Sequence, residues 1–432
     1  FMWPASFWEK YEYFIRHSAG LGRSPTKPDP DIYDHKYIHC DVLVVGAGIS
    51  GIIAAKNAAK NNLKTLLVDE QNQLGGSTIY QNREFNKIEN LSSSDWLKKE
   101  INELKNIKNL EIKTRTSVAA FHGYNYLLAR ESITDHLSKK ERANKIRQRL
   151  LKIRANKVIL ATGSLERPMI FNNNDRPGIM LSTAIKKYAA YYGVACGKKT
   201  VFFTNNDSAY ESAFCLHSKG IKVEAIIDIR ENSNSKIVKS VEDSGIKIYW
   251  SHTIVDTKGY KRLNNISTMK LSNDGLSVTG QRIDISCDCL GIAGGWTPAV
   301  HLFTQSGGKL QFNEENKAFL PNKYPSKQIS IGSCNGDFTL NKIIKNLSVD
   351  LKKFLEIKKT DIDNLNIECE EETSRRNIWL LPSDKVFGKT KPFVDYQNDA
   401  TAKDIKLALR EGFRSIEHVK RYTTTGMGTD QG

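Results

Sequence analysis

Three glycines, Gly46, Gly48 and Gly51, stand at G-x-G-x-x-G spacing in CDVLVVGAGISGIIAAK, and two carboxylates, Asp69 and Glu70, follow about 20 residues later. Such a set suits dinucleotide binding. One glycine permits a tight turn, a second lets backbone approach a pyrophosphate, a third lets helix and strand pack closely, and the acidic side chain binds ribose hydroxyls. The spacing alone is weak, but its surroundings are informative. Residues 40–70, CDVLVVGAGISGIIAAKNAAKNNLKTLLVDE, read as a fully buried strand, a glycine turn, a helix with Ala and Ile at helical spacing and a second buried strand. The helix so placed offers its free amides and positive end to the phosphates. For other chemistry the chain is silent: no Ser/His/Asp or Cys/His nucleophile signature and no acid/base pair stands out.

Other segments must complete that unit. LGGS at 74–77 is a turn after the second strand, RANKVILATGSLERP at 154–168 is a return strand ending in ATG, and KQISIGSCNGDFTL at 327–340 is a strand, a turn with Asp337 and a helix start. These pieces resemble the corresponding motifs of two-dinucleotide-binding flavoproteins, and the resemblance implies one discontinuous dinucleotide-binding domain, 38–165 plus 298–345. Residues 166–297 form an insertion with its own strand–turn–helix–strand pattern in KKTVFFTNNDSAYESAFCLHSKGIKVEAIIDIRE and Asp228 at the acidic position. Its turn has no glycine from Thr204 to Ala209, and Asp207 would repel a pyrophosphate, so this second unit is expected to be vestigial as a cofactor site. The fold class is therefore α/β, with two Rossmann-like units of the glutathione reductase type, the second inserted in the first. Residues 1–37 read as a helical, aromatic-anchored lead-in with a Pro-rich linker, and 346–432 as a mixed C-terminal interface segment. There Leu407, Ala408, Phe413, Ile416 and Val419 fit one amphipathic helix. It ends in TTTGMGTDQG, either an ordinary loop or an anion cradle of hydroxyls and glycine-permitted amides.

A length of 432 residues is a prior for about three folding units, and 39% hydrophobic with 26% charged residues excludes a disordered chain. The longest uncharged stretch, between Asp41 and Lys56, is too short for a membrane span. Lys+Arg 64 against Asp+Glu 48 gives +16. The basic residues are scattered, and the one dense patch, Lys139 to Arg154, lacks stacking aromatics, so a solvated face beside a core strand is preferred to a nucleic-acid site. Seven sparse cysteines argue for a reducing compartment, and the CxC of Cys287 and Cys289 reads as buried thiols rather than a metal knuckle. The ends, Phe1 and Gly432, suggest a piece of a longer subunit.

The combination of FMWPASFWEKYE, IRHSAGLGRSPTKPDPD, LLVDEQNQLGGS, AGGWTPAVHL and especially VDYQNDATAKDI…REGFRSIEHVKRYTTTGMGTDQG resembles the α subunit of heterotetrameric sarcosine oxidase. The resemblance implies NAD in this chain, FAD in a β subunit where sarcosine is oxidatively demethylated to glycine, and FMN at the interface passing electrons to O2. The one-carbon unit would leave as formaldehyde or as 5,10-methylenetetrahydrofolate through a C-terminal aminomethyltransferase-like domain. It implies β, γ and δ partners in the cytoplasm, with neither nucleic acid nor membrane as partner, and no catalytic or metal-binding residue here. Gly46, Gly48, Ser50, Gly51, Asp69, Glu70, Gln71 and Ser77 would contact the dinucleotide. Val118 would lie at its adenine end, with Asn335 and Leu340 in the closing motif. Thr423, Thr424, Thr425 and Gly426 would face FMN. Related cluster-bearing dehydrogenase subunits have a Cys-rich motif where NIECEEETSRR keeps only Cys369. The alternative reading is a stand-alone FAD/NAD(P)H-dependent reductase, weakened because STIYQNREF stands after LGG where a CxxxxC pair would be expected.

Overall fold

The computed structural model describes residues 3–428 except 21, 23–24, 82–83, 326 and 370–374. Long apolar runs in the sequence become strands buried on both faces, as parallel sheets covered by helices require. Strand β1 (Ile32–Val45) ends in Val42–Val45, all buried, and leads through the glycine turn into helix α2 (Ile49–Lys60), after helix α1 (Trp8–Ser18) at the start of the chain. Every residue of α2 from Ile49 to Ala59 is buried, its alanines allowing the helix to lie close on the sheet. The chain continues through β2 (Thr65–Val68), α3 (Ser93–Leu104), β3 (Leu110–Lys113), β4 (Thr116–His122), β5 (Tyr126–Ser132) and β6 (Ile146–Leu160). These strands lie in the order β3-β2-β1-β6-β5-β4, and β17 (Gln328–Ser330) joins in parallel at the end of β6, so a segment far along the chain completes the first sheet.

Between β6 and β17 the chain makes β7 (Ser164–Glu166), β8 (Ile179–Leu181), α4 (Ser182–Tyr191), β9 (Thr200–Thr204), α5 (Ser208–Ser218), β10 (Val223–Asp228), α6 (Lys236–Asp243) and β11 (Ile248–Trp250). A meander of β12 (His252–Lys258), β13 (Asn265–Leu271) and β14 (Val278–Ser286) precedes β15 (Cys289–Ala293) and β16 (Trp296–Pro298). The second sheet is parallel, ordered β8-β15-β9-β10-β11, while β16 pairs back on β7 where the two sheets meet. Cys287 and Cys289 are buried free thiols, pushed up to about 12 by burial. Beyond β17 come α7 (Leu340–Leu355), α8 (Ala402–Arg410) and α9 (Ile416–Thr423). Among the described residues no helix is long and apolar enough to cross a membrane.

Three expectations need correction. Strand β1 begins at Ile32, inside the segment read as lead-in and linker. Its first residues are exposed and polar, so burial leaves no pattern, and pairing with β6 along its whole length makes them a strand. The basic patch folds onto this ribbon: Arg147 meets Asp31 and Asp135, each at 2.6 Å, and Arg149 meets Asp34 at 3.0 Å. The lead-in helix α1 buries none of its residues, so its aromatics do not anchor it to this chain. The amphipathic C-terminal helix is two helices. Gly412 adopts φ +94°, a left-handed conformation that ends α8, and the chain restarts at α9 with Ile416 exposed while Ala408 and Val419 are buried.

Candidate dinucleotide-binding site

The carboxyl ends of β1, β2 and β6 open onto a cleft of about 900 Å³, where ligands of open α/β sheets bind. The glycine turn forms its floor. A Cβ on Gly51 would overlap the Gly46 carbonyl oxygen, so α2 can leave the strand this sharply only with glycine there. At Gly48 the situation is reversed: nothing lies within 4 Å of a Cβ, and that empty volume faces the first turn of α2, whose N–H groups have no partners within the helix. The residues present therefore fit a pyrophosphate over Gly48.

The two carboxylates after β2 have different tasks. Asp69 accepts the Ala47 N–H at 2.5 Å and the Gln71 N–H at 2.8 Å, one on each oxygen, so it ties the glycine turn to the end of β2, and it also lines the cleft. Burial pushes its carboxyl above the ordinary range, although both amides oppose the shift. Glu70 is exposed on the cleft rim, where its Oε1 accepts the Gln71 side-chain amide at 3.3 Å. Gly46, Ser50, Gln71, Ser77, Val118 and Leu340 also line the cleft. Gly51 lies beneath the turn. Asn335 is not part of the lining, and the closing motif contributes Ser333 and Phe338 instead. Asp337 is buried, pushed up to about 6, and accepts Asn346 Nδ2–H at 2.7 Å, which holds that motif to α7.

The Thr423–Gly426 turn lies apart from the cleft. Its Gly426 N–H donates to Asp395 at 2.8 Å, and the Thr423 and Thr424 hydroxyls donate to the Val419 and Thr423 carbonyls. The side-chain amide of Asn398, with the Gly426 amide, lowers the Asp395 carboxyl to about 2. The cradle expected for an external anion thus already holds an internal one, and a second negative group there would be repelled; the run beyond residue 428 lies outside the described residues.

Several cleft residues escaped sequence reading because they come from the inserted unit. Lys186 on α4 is buried against Glu211 on α5 at 2.7 Å. Burial works against its charge, yet Glu211 holds the ammonium protonated above its ordinary range. Glu166, two residues beyond the ATGS motif, is buried and accepts both the Thr183 N–H and hydroxyl on Oε2, at 2.7 and 2.6 Å. Burial pushes it up to about 7. Its signal was a charged residue six positions past the return strand, at the end of β7. The inserted unit's turn also lines the cleft through Asn206, Asp207 and Ser208, but its acidic groups are bound from within: Arg230 bonds Asp228 at 2.7 Å and Asp207 at 2.8 Å, and the Tyr210 hydroxyl donates to Asp228 at 2.8 Å. Arg230 is held charged by these carboxylates despite its burial.

Two sheets of this kind meeting at a glycine-floored cleft define a two-unit nucleotide-dependent oxidoreductase, and the chain belongs to the pyridine nucleotide-disulphide oxidoreductase family, whose profile it matches over residues 40–329. More narrowly, it is a homologue of sarcosine oxidase α subunits. It is 35% identical to sarcosine oxidase subunit alpha of Rhizobium meliloti (strain 1021), covering 100% of this chain and 42% of the relative, and 34% identical to that of Corynebacterium sp. (strain P-1), covering 96% and 43%. The sarcosine oxidase A3 domain profile matches residues 389–432. The chain therefore spans less than half the length of these relatives. Its fold resembles L-proline dehydrogenase from P. horikoshii, with TM-score 0.64, 20% identity, and coverage of 92% and 72%. Thioredoxin reductase of T. acidophilum matches with TM-score 0.54 and 16% identity over 73% of this chain and 97% of that one.

Proposed function

We propose that this chain is the dinucleotide-carrying part of an α subunit of a sarcosine oxidase, and that NAD occupies the cleft over Gly48. The observation that carries this reading is the asymmetry of the two units, one with open space over its turn and an exposed rim carboxylate, the other with its acidic groups bound by Arg230. A reductase passing hydride from NAD(P)H to its own FAD needs two nucleotide sites; a carrier subunit needs one. In the first site, α2 presents its positive end and amides to the pyrophosphate, Glu70 binds the ribose, and Asp69 keeps the turn in shape. NAD supplies two-electron hydride chemistry where it reacts, but in this reading it is held without exchange.

Sarcosine would be oxidised on FAD in the β subunit, with O2 reduced to H2O2 and the one-carbon unit released as formaldehyde or 5,10-methylenetetrahydrofolate. The full assembly would have β, γ and δ partners in the cytoplasm, with tetrahydrofolate bound by a domain beyond this segment. FMN would sit at the α/β interface near the C-terminal segment. The domain limits 38–165 with 298–345, and 166–297, belong to the same proposal. The test is the nucleotide released when the purified chain is denatured. NAD supports the carrier; FAD, with turnover of NADH by the yellow protein, supports the stand-alone reductase; no nucleotide refutes both.

A further inference from the structure

The inserted unit walls the site of the first. Thr183, Lys187 and Tyr191 follow one another at four-residue steps on α4, which puts them in one row along the helix, and all three line the cleft. The row ends in an aromatic ring.

Gln71 fixes where that row stands. Its side-chain amide donates to Glu70 Oε1 at 3.3 Å, its side-chain oxygen accepts the Lys187 ammonium at 3.5 Å, and its backbone carbonyl accepts the Arg115 N–H at 2.8 Å. The rim carboxylate, the middle of α4 and the start of the strand that carries Val118 therefore meet at one residue. Tyr191 lies one turn beyond Lys187, about 6 Å along the axis, a step comparable with that from the hydroxyls of a ribose to its purine. Val118 and Tyr191 both line the cleft, so a nucleoside with its ribose at Glu70 has both near its base.

The ring is also suited to a base. Tyr191 is half-buried, and its one ring neighbour among the described residues is Tyr192, at 4.8 Å and 88°, an edge-to-face contact that braces the pair. Tyr192 in turn stands 5.8 Å from Tyr188, one turn back. Every base has a π-face, so an aromatic ring on the wall holds adenine by stacking without a hydrogen bond.

We infer that Tyr191 is the stacking residue for the adenine of the bound dinucleotide, with Val118 as the apolar contact from the first sheet. This rests on the proposal that NAD occupies the cleft with a ribose at Glu70. The unit whose own turn lacks glycine thus supplies one wall of its neighbour's site.

Titration calorimetry on the nucleotide-free full chain tests this with NAD and ADP-ribose, which share the adenosine. Tyr191→Leu keeps apolar bulk but has no ring face, and both ligands should weaken by about five- to a hundredfold, the value of one base stacked on one aromatic side chain. Tyr191→Phe keeps the face and should stay within about twofold of wild type. In protein deuterated except at its tyrosine rings, adenine H2 and H8 of bound ADP-ribose should show cross-relaxation with a tyrosine ring in the wild type and none in Tyr191→Phe. Wild-type affinity in Tyr191→Leu overturns the inference and leaves the NAD reading. A loss in Tyr191→Phe as large as in Tyr191→Leu, with melting temperature retained, does the same. Absence of cross-relaxation in the wild type overturns it whether or not either variant folds, as does its persistence in Tyr191→Phe. Binding of neither ligand by the wild type, or of FAD alone, sinks both readings.

Discussion

Gly48→Ala separates fold from ligand at a single carbon. The residue is the N-cap of α2, with φ −71° and ψ −175°, a conformation open to any L-residue, and its added Cβ would meet nothing within 4 Å. Alanine restricts the unfolded chain, which stabilises by about 0.4–1 kcal/mol. It is also a poorer N-cap than glycine, at a cost of roughly 0.5–1 kcal/mol. The two offset, so stability should stay within about 1 kcal/mol and the melting temperature within a few degrees. The methyl group, however, fills the volume assigned to the pyrophosphate and holds it off the α2 amides. Loss of one charge-assisted hydrogen bond alone weakens binding at least about tenfold. Gly51→Ala is the opposite control, because its Cβ strikes the Gly46 carbonyl and should cost about 1–3 kcal/mol of stability or more. Thermal melts and NAD titrations on both variants are the assay. If Gly48→Ala binds NAD like the wild type, the pyrophosphate does not lie over this turn; if it melts as early as Gly51→Ala, the space is not open.

Glu70→Gln should weaken NAD about tenfold at unchanged melting temperature, whereas Asp69→Asn, which turns a donor towards one of two backbone N–H groups, should lower both affinity and stability, the latter by about 1–3 kcal/mol. Arg230→Met leaves Asp207 and Asp228 buried without their cation and should destabilise by about 3–5 kcal/mol in denaturant titrations without creating a second nucleotide site. Glu166 has a folded value of about 7, above its unfolded one, so its contribution to stability is complete below the ordinary carboxylate range and is lost as pH rises through 7. Glu166→Gln should flatten the melting temperature profile between pH 5 and 8, and an unchanged profile would contradict the burial of that carboxyl. Asp395 has the opposite sign: its lowered value means stability present above pH 4 and lost as pH falls towards 2, and Asp395→Asn should remove that acid-side loss.

What the sequence revealed followed from local physics. A strand buried on both faces, a turn that only glycine can make and a helix small enough to lie on the sheet leave marks within thirty residues, and Gly46 to Glu70 was legible for that reason. What it hid were contacts made across the fold. Asp69 and Glu70 are neighbours with the same charge, and only the position of the Ala47 amide shows which of them ties the turn. The first half of β1 has no burial pattern because its partner, more than a hundred residues away, supplies the pairing. Glu166 stands six residues past the return strand, and its raised carboxyl depends on burial and on Thr183, contacts made across the fold.

The same dependence bears on the proposed lack of a nucleotide site in the second unit. In the second unit, loss of glycine from the turn would by itself leave Asp207 and Asp228 near each other in a poorly solvated place, a repulsion that must be resolved. Arg230 resolves it, two residues past Asp228, with both carboxylates bound to one guanidinium and Tyr210 bonded to the same Asp228. Removing that arginine costs more than restoring a glycine gains, because breaking a buried ion network leaves uncompensated charge. Reopening the site would therefore require replacing Asp207, Asp228 and Arg230 together, and no single substitution at the turn should do it. A second nucleotide bound by Asp207→Gly alone would show instead that the arginine network is not the barrier.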